Sequence, residues 1–279
     1  MTRNGLSPEQ VSLYHERGYY YPLQVFEAPE SQVFLDNYLA HVAKNRERLQ
    51  SLSPREQYLI MSETHTYLTW AYRMVSHPAV LHAVESILGP NLMVWGTRWF
   101  SKMPGEKTYV SWHQDGTYWG LHPPHVTTAW IALSQSGPEN GSLRVIPGSH
   151  QGNYLPQRDT YDPKNALTRG QEIAVEVDET LAADLVLQPG QMSLHHIGIV
   201  HGSRANSSNE PRIGLSVRYI TPDVVQDGDE RPMAMLVRGR DEFGHFDLIE
   251  PPLEDGLWNE HAMPESLRRM MKNIMPQQR

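Results

Sequence analysis

One His-x-Asp triplet gives the sequence its clearest indication of metal chemistry. The segment Ser-Trp-His-Gln-Asp-Gly places His113 and Asp115 two positions apart. Residues with that spacing on a β-strand point to the same face, about 6–7 Å apart, so an imidazole and a carboxylate could converge on one metal ion. The pattern is not unique, because His245 and Asp247 form a second triplet. The surrounding sequence must decide between the two.

The residues downstream favour the first triplet. A predicted strand after Pro189-Gly190 leads to His201, and Arg212 follows eleven positions later. Two histidines and one carboxylate on one face of a metal form the facial triad of non-haem Fe(II) oxygenases, which leaves coordination positions open. An arginine nearby could hold the far carboxylate of a 2-oxo diacid through two parallel hydrogen bonds. The second triplet is followed only by His261 and by no strand that could carry an arginine.

The strand that begins at Arg212 also predicts a cavity. Alternation along a strand places Arg212 and Arg218 on the same face as two small residues, Gly214 and Ser216. The small residues would leave room between the arginines, so Arg218 could bind either a substrate anion or a surface carboxylate. The intervening apolar residues would pack on the other face: Ile213, Leu215 and Val217.

Further candidates for the walls of this cavity lie close to the triplet in the sequence. On the preceding predicted strand, Arg98 and Lys102 would share one face. Tyr118 and Trp119 follow the triplet and could wall a substrate pocket, whereas Trp130 is expected to pack beneath the site. Three nearby histidines are expected to be structural, as packed or turn residues: His150, His195 and His196.

Helices are predicted over most of the first ninety residues. Ser7-Pro8-Glu9-Gln10 combines an N-cap, a proline at the first helical position and a capping-box glutamine. Apolar spacing predicts further helices over 30–50, 67–75 and 77–88, the last ended by Gly89-Pro90. A final amphipathic helix is predicted over 265–275.

From residue 91 the pattern changes to short strands rich in β-branched and aromatic residues. Strands are predicted over 92–102, 126–134, 142–146, 172–177, 192–195 and 212–220. No long helix fits between them, which argues against a parallel sheet and favours an antiparallel double sheet or barrel. We expect one oxygenase domain over 1–279, with helical support over 1–90, a core over 91–221 and an extension over 222–279 that packs on the core.

Taken together, these motifs resemble the phytanoyl-CoA dioxygenase family of Fe(II)- and 2-oxoglutarate-dependent oxygenases. The resemblance runs from about residue 88 to residue 219. It rests on four linked segments in the same order: His113-x-Asp115, the tryptophan-bearing strand 128–133, Asn140-Gly141-Ser142-Leu143 followed by 146–150, and His201-Gly202-Ser203 with Arg212. Their combination is specific, whereas each segment alone would not be.

The resemblance implies a mostly β fold with flanking helices around a double-stranded β-helix, the jelly roll of cupin-like proteins. It also implies Fe(II), 2-oxoglutarate and O2 as the reactive groups. The implied iron ligands are His113, Asp115 and His201. The implied residues for 2-oxoglutarate are Arg212, Ser203 and, matching a family lysine that can also face the co-substrate, Lys102. Related halogenases have a small residue in place of the carboxylate, so Asp115 favours hydroxylation, or desaturation or demethylation.

Composition narrows the remaining possibilities. The 279 residues include 24 Lys+Arg and 32 Asp+Glu, for a formal net charge of −8, and no cysteine. Disulfide scaffolds, iron–sulfur clusters, cysteine zinc sites and thiol nucleophiles are therefore excluded. With a mean hydropathy of −0.53, no basic run and no signal-peptide core, we expect a cytoplasmic protein that binds neither membrane nor nucleic acid. Oligomerisation is possible but not required.

The expected activity is hydroxylation of an unactivated C–H bond, giving succinate and CO2 from 2-oxoglutarate. The cationic candidates Arg98, Lys102 and Arg218 suggest a small polar, anionic metabolite such as an amino acid, a phosphonate or a natural-product intermediate. No extended basic surface suited to coenzyme A is evident, so an acyl-CoA substrate is not expected. A zinc-dependent hydrolase could use the same three ligands, although it would have no need of Arg212.

Overall fold

Helices dominate the N-terminal part of the chain, as the sequence predicts. The computed structural model describes residues 5–51, 61–229 and 231–256. Its helices are α1 (Pro8–Arg17), α2 (Ala28–Lys44), α3 (Arg46–Ser51), α4 (Thr69–Val75), α5 (Pro78–Leu88) and a single turn, α6 (Gly116–Trp119). The helix predicted over 265–275 lies outside the described residues. Among the described helices, none has the length and apolar character that a bilayer span requires.

The predicted capping of α1 is present, whereas the single long helix predicted over 30–50 is not. The Ser7 hydroxyl accepts a bond from the Gln10 N–H at 3.3 Å, and the Gln10 side chain accepts one from the Ser7 N–H at 2.8 Å. The long helix is instead divided into α2 and α3 at Asn45, whose side-chain amide donates to the His41 carbonyl at 2.8 Å. Asparagine favours such helix ends because its side chain competes for backbone groups.

The strands follow in the order β1 to β15 along the chain. They are β1 (Tyr19–Gln24), β2 (Leu92–Lys102), β3 (Val110–His113), β4 (Leu121–His122), β5 (Val126–Ala132), β6 (Leu143–Val145), β7 (Gln157–Asp159), β8 (Gln171–Ile173), β9 (Ala183–Leu185), β10 (Gln191–His196), β11 (His201–Ser203), β12 (Arg212–Ile220), β13 (Val225–Gln226), β14 (Met233–Arg238) and β15 (Asp247–Leu248). The strand predicted over 172–177 is shorter because β8 pairs with the three-residue β7.

Two sheets of the jelly roll carry the architecture. The larger has the order β1-β10-β5-β12-β2-β14-β15, and the smaller has the order β3-β11-β6-β9. Neighbouring strands pair antiparallel except β14 with β15, in agreement with the predicted antiparallel double sheet. Because β1 and β14 join the larger sheet, that sheet extends beyond the predicted core range of 91–221 on both sides.

The helices pack on one face of the larger sheet. The main core joins their apolar side chains to the apolar face of β12, which includes Ile213, Leu215 and Val217 as the alternation predicts. Two buried tyrosine hydroxyls tie helices to the sheet, Tyr14 to Thr127 Oγ1 at 2.9 Å and Tyr219 to the Val75 carbonyl at 2.7 Å. The helical layer thereby fixes one face of the sheet and leaves its other face to the cavity.

A close approach between β3 and β11 requires a glycine. A Cβ atom at Gly202 would lie 2.8 Å from the Val110 carbonyl oxygen and 3.1 Å from that of Ser111. Backbone oxygens cannot move aside as a flexible side chain can. A side chain at 202 would therefore push apart the two strands that carry His113 and His201.

We predict that Gly202→Ala lowers the free energy of unfolding by about 1–3 kcal/mol, the usual effect of overpacking. Chemical denaturation monitored by tryptophan fluorescence measures this change. Gly152→Ala is the matched control, because the nearest atom to a Cβ there is 3.9 Å away. Equal midpoints for the two variants would show that β3 and β11 do not need this close approach.

Candidate active site

The two histidines of the predicted triad face each other across adjacent strands. His113 at the end of β3 pairs in register with His201 at the start of β11, and their ring centroids are 4.1 Å apart. Asp115 follows β3 directly and stands before the turn α6, without forming a side-chain capping bond. Its Oδ1 lies 3.4 Å from His113 Nε2 and its Oδ2 lies 3.8 Å from His201 Nε2. Folding therefore brings together residues 86 positions apart.

Backbone carbonyls determine which nitrogen each histidine presents. The Nδ1 of His113 lies 2.9 Å from the Ser111 carbonyl oxygen, and that of His201 lies 3.0 Å from the Ile199 carbonyl oxygen. A carbonyl only accepts hydrogen bonds, so each Nδ1 must carry a proton and donate. In the neutral form of each ring, the lone pair is then on Nε2, the atom that faces Asp115. This is the arrangement in which histidines bind metals.

The electrostatics of this cluster favour a cation between the side chains. Burial lowers the pKa of His201 to about 4, with a further contribution from His113, so His201 is neutral near pH 7. Burial alone would raise the pKa of Asp115, but His201 and His113 hold it well below its usual range. Two imidazoles and one carboxylate offer three atoms, all within 4.8 Å of one another. This donor set fits a divalent metal ion such as Fe(II).

A cavity of about 240 Å³ lies beside this cluster and is lined by both sheets. His113, Asp115 and His201 all border it. Of the eight other site residues predicted from the sequence, seven also border the cavity: Arg98, Tyr118, Trp119, Trp130, Ser203, Arg212 and Arg218. Trp130 is a wall residue as well as a support, because its ring lies over Gly214, where a Cβ would be 2.3 Å away.

Arg212 is a buried cation without a carboxylate partner. It is 2% exposed, and none of the described carboxylates lies within 4 Å of it. Its Nη1 donates to the Gly141 carbonyl, its Nη2 donates to the Phe100 carbonyl at 3.4 Å, and its Nε has no hydrogen-bond partner among the described residues. The guanidinium carbon lies 5.2 Å from the centre of the Trp130 ring. A buried, uncompensated guanidinium that borders a cavity is suited to bind an anion.

Lys102 does not border the cavity, although the family resemblance predicts it among the co-substrate residues. It is paired with Arg212 in the β2–β12 ladder, and its Nζ donates to Ser203 Oγ at 2.6 Å and to the Arg204 carbonyl. Burial, with a smaller contribution from the nearby Arg212, lowers the pKa of Lys102 to about 6. The lysine thus orients the Ser203 hydroxyl, which does border the cavity.

Several cavity residues were missed from the sequence. Glu63, Trp95 and Gln226 line the cavity and belong to no recognised motif. His195, expected to be a packed histidine that donates to a carbonyl, also lines it, 4.9 Å from the His201 ring, and its Nδ1 has no hydrogen bond among the described residues. The only available signal was its position on the hairpin that leads to His201.

Comparison with known proteins places the chain in a family. A family model described as phytanoyl-CoA dioxygenase (PhyH) matches residues 2–214. The chain therefore belongs to the phytanoyl-CoA dioxygenase family, which confirms the membership predicted from the motifs. That membership agrees with the class predicted from the motifs, the non-haem oxygenases that depend on Fe(II) and 2-oxoglutarate.

Two curated relatives show how far the similarity extends. The peroxisomal phytanoyl-CoA dioxygenase of Homo sapiens is 29% identical over 157 residues, covering 54% of this chain and 46% of that protein. A probable alpha-ketoglutarate-dependent hypophosphite dioxygenase of Stutzerimonas stutzeri is 27% identical over 163 residues, covering 57% of this chain and 56% of that protein. The chain thus spans about half the length of these curated relatives.

A solved structure is similar along nearly the whole chain. Apo ThoJ, a non-heme monooxygenase, matches with a TM-score of 0.80 and 29% identity, covering 95% of this chain and 98% of its own. The nickel complex of ThoJ matches with a TM-score of 0.75 and 28% identity, again covering 95% of this chain and 98% of its own. These matches confirm the predicted fold class.

We predict that His113→Ala and Asp115→Ala each weaken binding of a divalent metal. The loss should exceed the roughly 10–100-fold that follows removal of an outer hydrogen-bond partner, because a direct ligand is removed. Titration with Ni(II), a redox-inert probe, measures the dissociation constants. His245→Ala in the second His-x-Asp triplet is the control and should bind as the parent does. Parent-like affinity in either triad variant would show that the ligand assignment is wrong.

Proposed function

We propose that this chain is an Fe(II)- and 2-oxoglutarate-dependent dioxygenase that hydroxylates an unactivated C–H bond of a small polar, anionic metabolite. One observation carries the proposal: a cluster of two histidines and one aspartate shares a single cavity with a buried guanidinium that has no carboxylate partner among the described residues. The first group fits a divalent metal and the second fits the far carboxylate of a 2-oxo diacid.

Three side chains would hold the metal, and the chain fixes their orientation beforehand. His113, Asp115 and His201 would bind Fe(II) through the two Nε2 atoms and a carboxylate oxygen. When bound, iron and 2-oxoglutarate supply activation of dioxygen, with loss of CO2 and formation of succinate. The carbonyls of Ser111 and Ile199 hold the imidazole rings in the tautomer that binding requires. Little reorganisation is then needed when the metal enters.

The co-substrate end of the cavity lies at the start of β12. Arg212 would bind the far carboxylate of 2-oxoglutarate, and the Ser203 hydroxyl would add a hydrogen bond. Lys102 acts through Ser203 as a positioning residue, because its Nζ is bonded to that hydroxyl rather than exposed to the cavity. The Trp130 ring supports the guanidinium from one side and excludes water.

The substrate would occupy the opposite end. Arg218 is six residues from Arg212 on the same face of β12, or roughly 20 Å along the strand, so it cannot reach the same carboxylate. Arg98 projects between them, with its guanidinium 4.7 Å from the Phe100 ring. These cations, with the walls of Tyr118 and Trp119, support a small anionic substrate. The hypophosphite dioxygenase among the relatives also takes its name from a small anion.

The alternatives left open by the sequence differ in their products. Asp115 would supply a carboxylate ligand where related halogenases have a small residue, so hydroxylation is the proposed outcome. Desaturation or demethylation would arise from the same site with a different substrate. A zinc hydrolase is not favoured, because it gives no reason for a buried Arg212 beside the metal ligands.

We predict that 2-oxoglutarate added anaerobically to the Fe(II)-loaded protein produces a weak visible charge-transfer band, and that Arg212→Gln weakens this binding. Loss of the buried cation should cost about 2–5 kcal/mol, or roughly 30- to 5000-fold in affinity. Arg144→Gln is the matched control, because Arg144 is also buried and lies 5.1 Å from a tryptophan ring, that of Trp112, but does not border the cavity. An equal loss of 2-oxoglutarate affinity in the two variants would show that Arg212 does not bind the co-substrate.

Oxygen dependence distinguishes the oxygenase from the hydrolase. We predict that succinate forms from 2-oxoglutarate only when both Fe(II) and O2 are present, and that replacement of iron by Zn(II) abolishes it. Mass spectrometry of the reaction with 18O2 provides the measurement, because one labelled oxygen should enter succinate. Hydrolysis of a substrate by the Zn(II)-loaded protein under anaerobic conditions would instead identify a hydrolase.

A further inference from the structure

A carboxylate that the proposed mechanism does not use lies at the substrate end of the cavity. Glu63 is 7% exposed and borders the cavity together with Gly96 and Arg218. Its backbone φ of 52° lies in the left-handed region, which is unfavourable for a residue other than glycine and is often found at functional sites. Thr97 holds both the backbone and the side chain of Glu63 in place. The Glu63 N–H donates to the Thr97 carbonyl, and Glu63 Oε2 accepts from the Thr97 N–H, both at 3.0 Å.

The second carboxylate oxygen has unused bonding capacity. Glu63 Oε1 makes no hydrogen bond with any described residue and lies above Gly96, where a Cβ would be 3.0 Å away. The same Cβ would be 3.5 Å from Arg218 Nη1, so this glycine allows the carboxylate and the guanidinium to approach each other over the strand. Arg218 Nε is buried and likewise has no hydrogen-bond partner among the described residues.

The two opposite charges are near each other without being in contact. Arg218 lowers the pKa of Glu63, yet no nitrogen of Arg218 lies within the 4 Å of a direct ion pair, and burial still raises that pKa to about 7. A purely structural role, neutralisation of Arg218 by Glu63, would require direct contact to offset the loss of hydration. The separation leaves room for a ligand that bonds to both.

A β-bulge builds a wall beside this pair. Arg218 is paired with Gly96 and Tyr219 with Val94, so Trp95 is an extra residue on β2. Trp95 consequently borders the cavity, 5.2 Å from the Trp119 ring. Gln226 links the Trp95 indole to the backbone of Trp119, because it accepts from Trp95 Nε1 at 3.1 Å and donates to the Trp119 carbonyl at 3.3 Å. The Arg218 guanidinium lies over the Trp119 ring, 5.0 Å from its centre, so that ring supports the arginine. The Trp95 ring is the aromatic group here that favours an organic cation next to the carboxylate.

We propose that Glu63 and Arg218 together bind the zwitterionic head group of the substrate. Glu63 Oε1 accepts hydrogen bonds from its ammonium group, and the Arg218 guanidinium donates to its carboxylate. The substrate class is then a free α-amino acid or a small molecule with an amino-acid head group. This inference rests on the proposed function, which gives the cavity a reaction, and it adds a required cationic group to the anionic substrate inferred above.

The test compares matched ligands on the Ni(II)-loaded protein with 2-oxoglutarate bound, using calorimetry as the readout. The panel contains the twenty common α-amino acids, their N-acetyl derivatives and the corresponding acids without the amino group. At least one zwitterion should bind about tenfold or more tightly than both of its matched compounds. In Glu63→Gln, which retains an oxygen for the Thr97 N–H, this preference should fall below about threefold. Melting temperature and 2-oxoglutarate affinity should stay at their parent values.

Two further variants keep the inference falsifiable if Glu63→Gln folds poorly. Gly96→Ala places a methyl group against Glu63 Oε1. It should weaken binding of the zwitterion more than binding of the matched acid that lacks the amino group. Glu85→Gln removes a carboxylate that pairs with Arg238 outside the cavity and should keep the full preference.

Three results would overturn the inference. They are equal affinity of the parent for zwitterions and for their matched compounds, an unchanged preference in Glu63→Gln or Gly96→Ala, and no binding of any zwitterion to a parent that binds 2-oxoglutarate. Each leaves the oxygenase assignment standing. Failure of that assignment would appear separately, as a parent that does not bind 2-oxoglutarate.

Discussion

In the ladder between β2 and β12, alternate side chains face the helices and the cavity. On one face, Leu215 and its apolar neighbours complete the main core. On the other face lie Arg212, Ser216 and Arg218, all bordering the cavity. Because side chains alternate between the two faces of a strand, a shift that moves the side chains on one face also moves those on the other. A shift of register by one residue would bury the arginines in the core and expose the apolar side chains, so core and site depend on the same pairing.

The cavity contains buried charged groups that the surrounding residues compensate only in part. Asp115 has two imidazoles beside it, and Arg212 has carbonyl oxygens but none of the described carboxylates. At the far end, Glu63 and Arg218 attract each other without touching. Burial makes each uncompensated charge unfavourable, and a ligand of opposite charge removes that penalty. The apolar core and the two buried tyrosine anchors supply the stability that allows the cavity to retain such groups.

Local signals in the sequence predicted the elements whose stabilisation is itself local. The capping box of α1 and the glycine-proline end of α5 depend on neighbouring residues, and both are present. The short strands β1 and β14 were missed because each has little apolar alternation and gains its conformation by pairing with a strand far away in the sequence. Asn45 likewise divides a continuous apolar pattern because one side-chain amide bonds back to the helix backbone.

The sequence by itself determined the family, the fold class and the types of residue in the site, because strand alternation and motif order are visible along the chain. It did not determine that Lys102 contacts Ser203 instead of bordering the cavity, since that contact depends on the ladder register and on burial together. Only the tertiary structure brought Glu63 to Arg218, through a left-handed turn, a glycine and a bulge at Trp95. Such approaches between distant segments depend on three-dimensional packing, and no local pattern of residues records them.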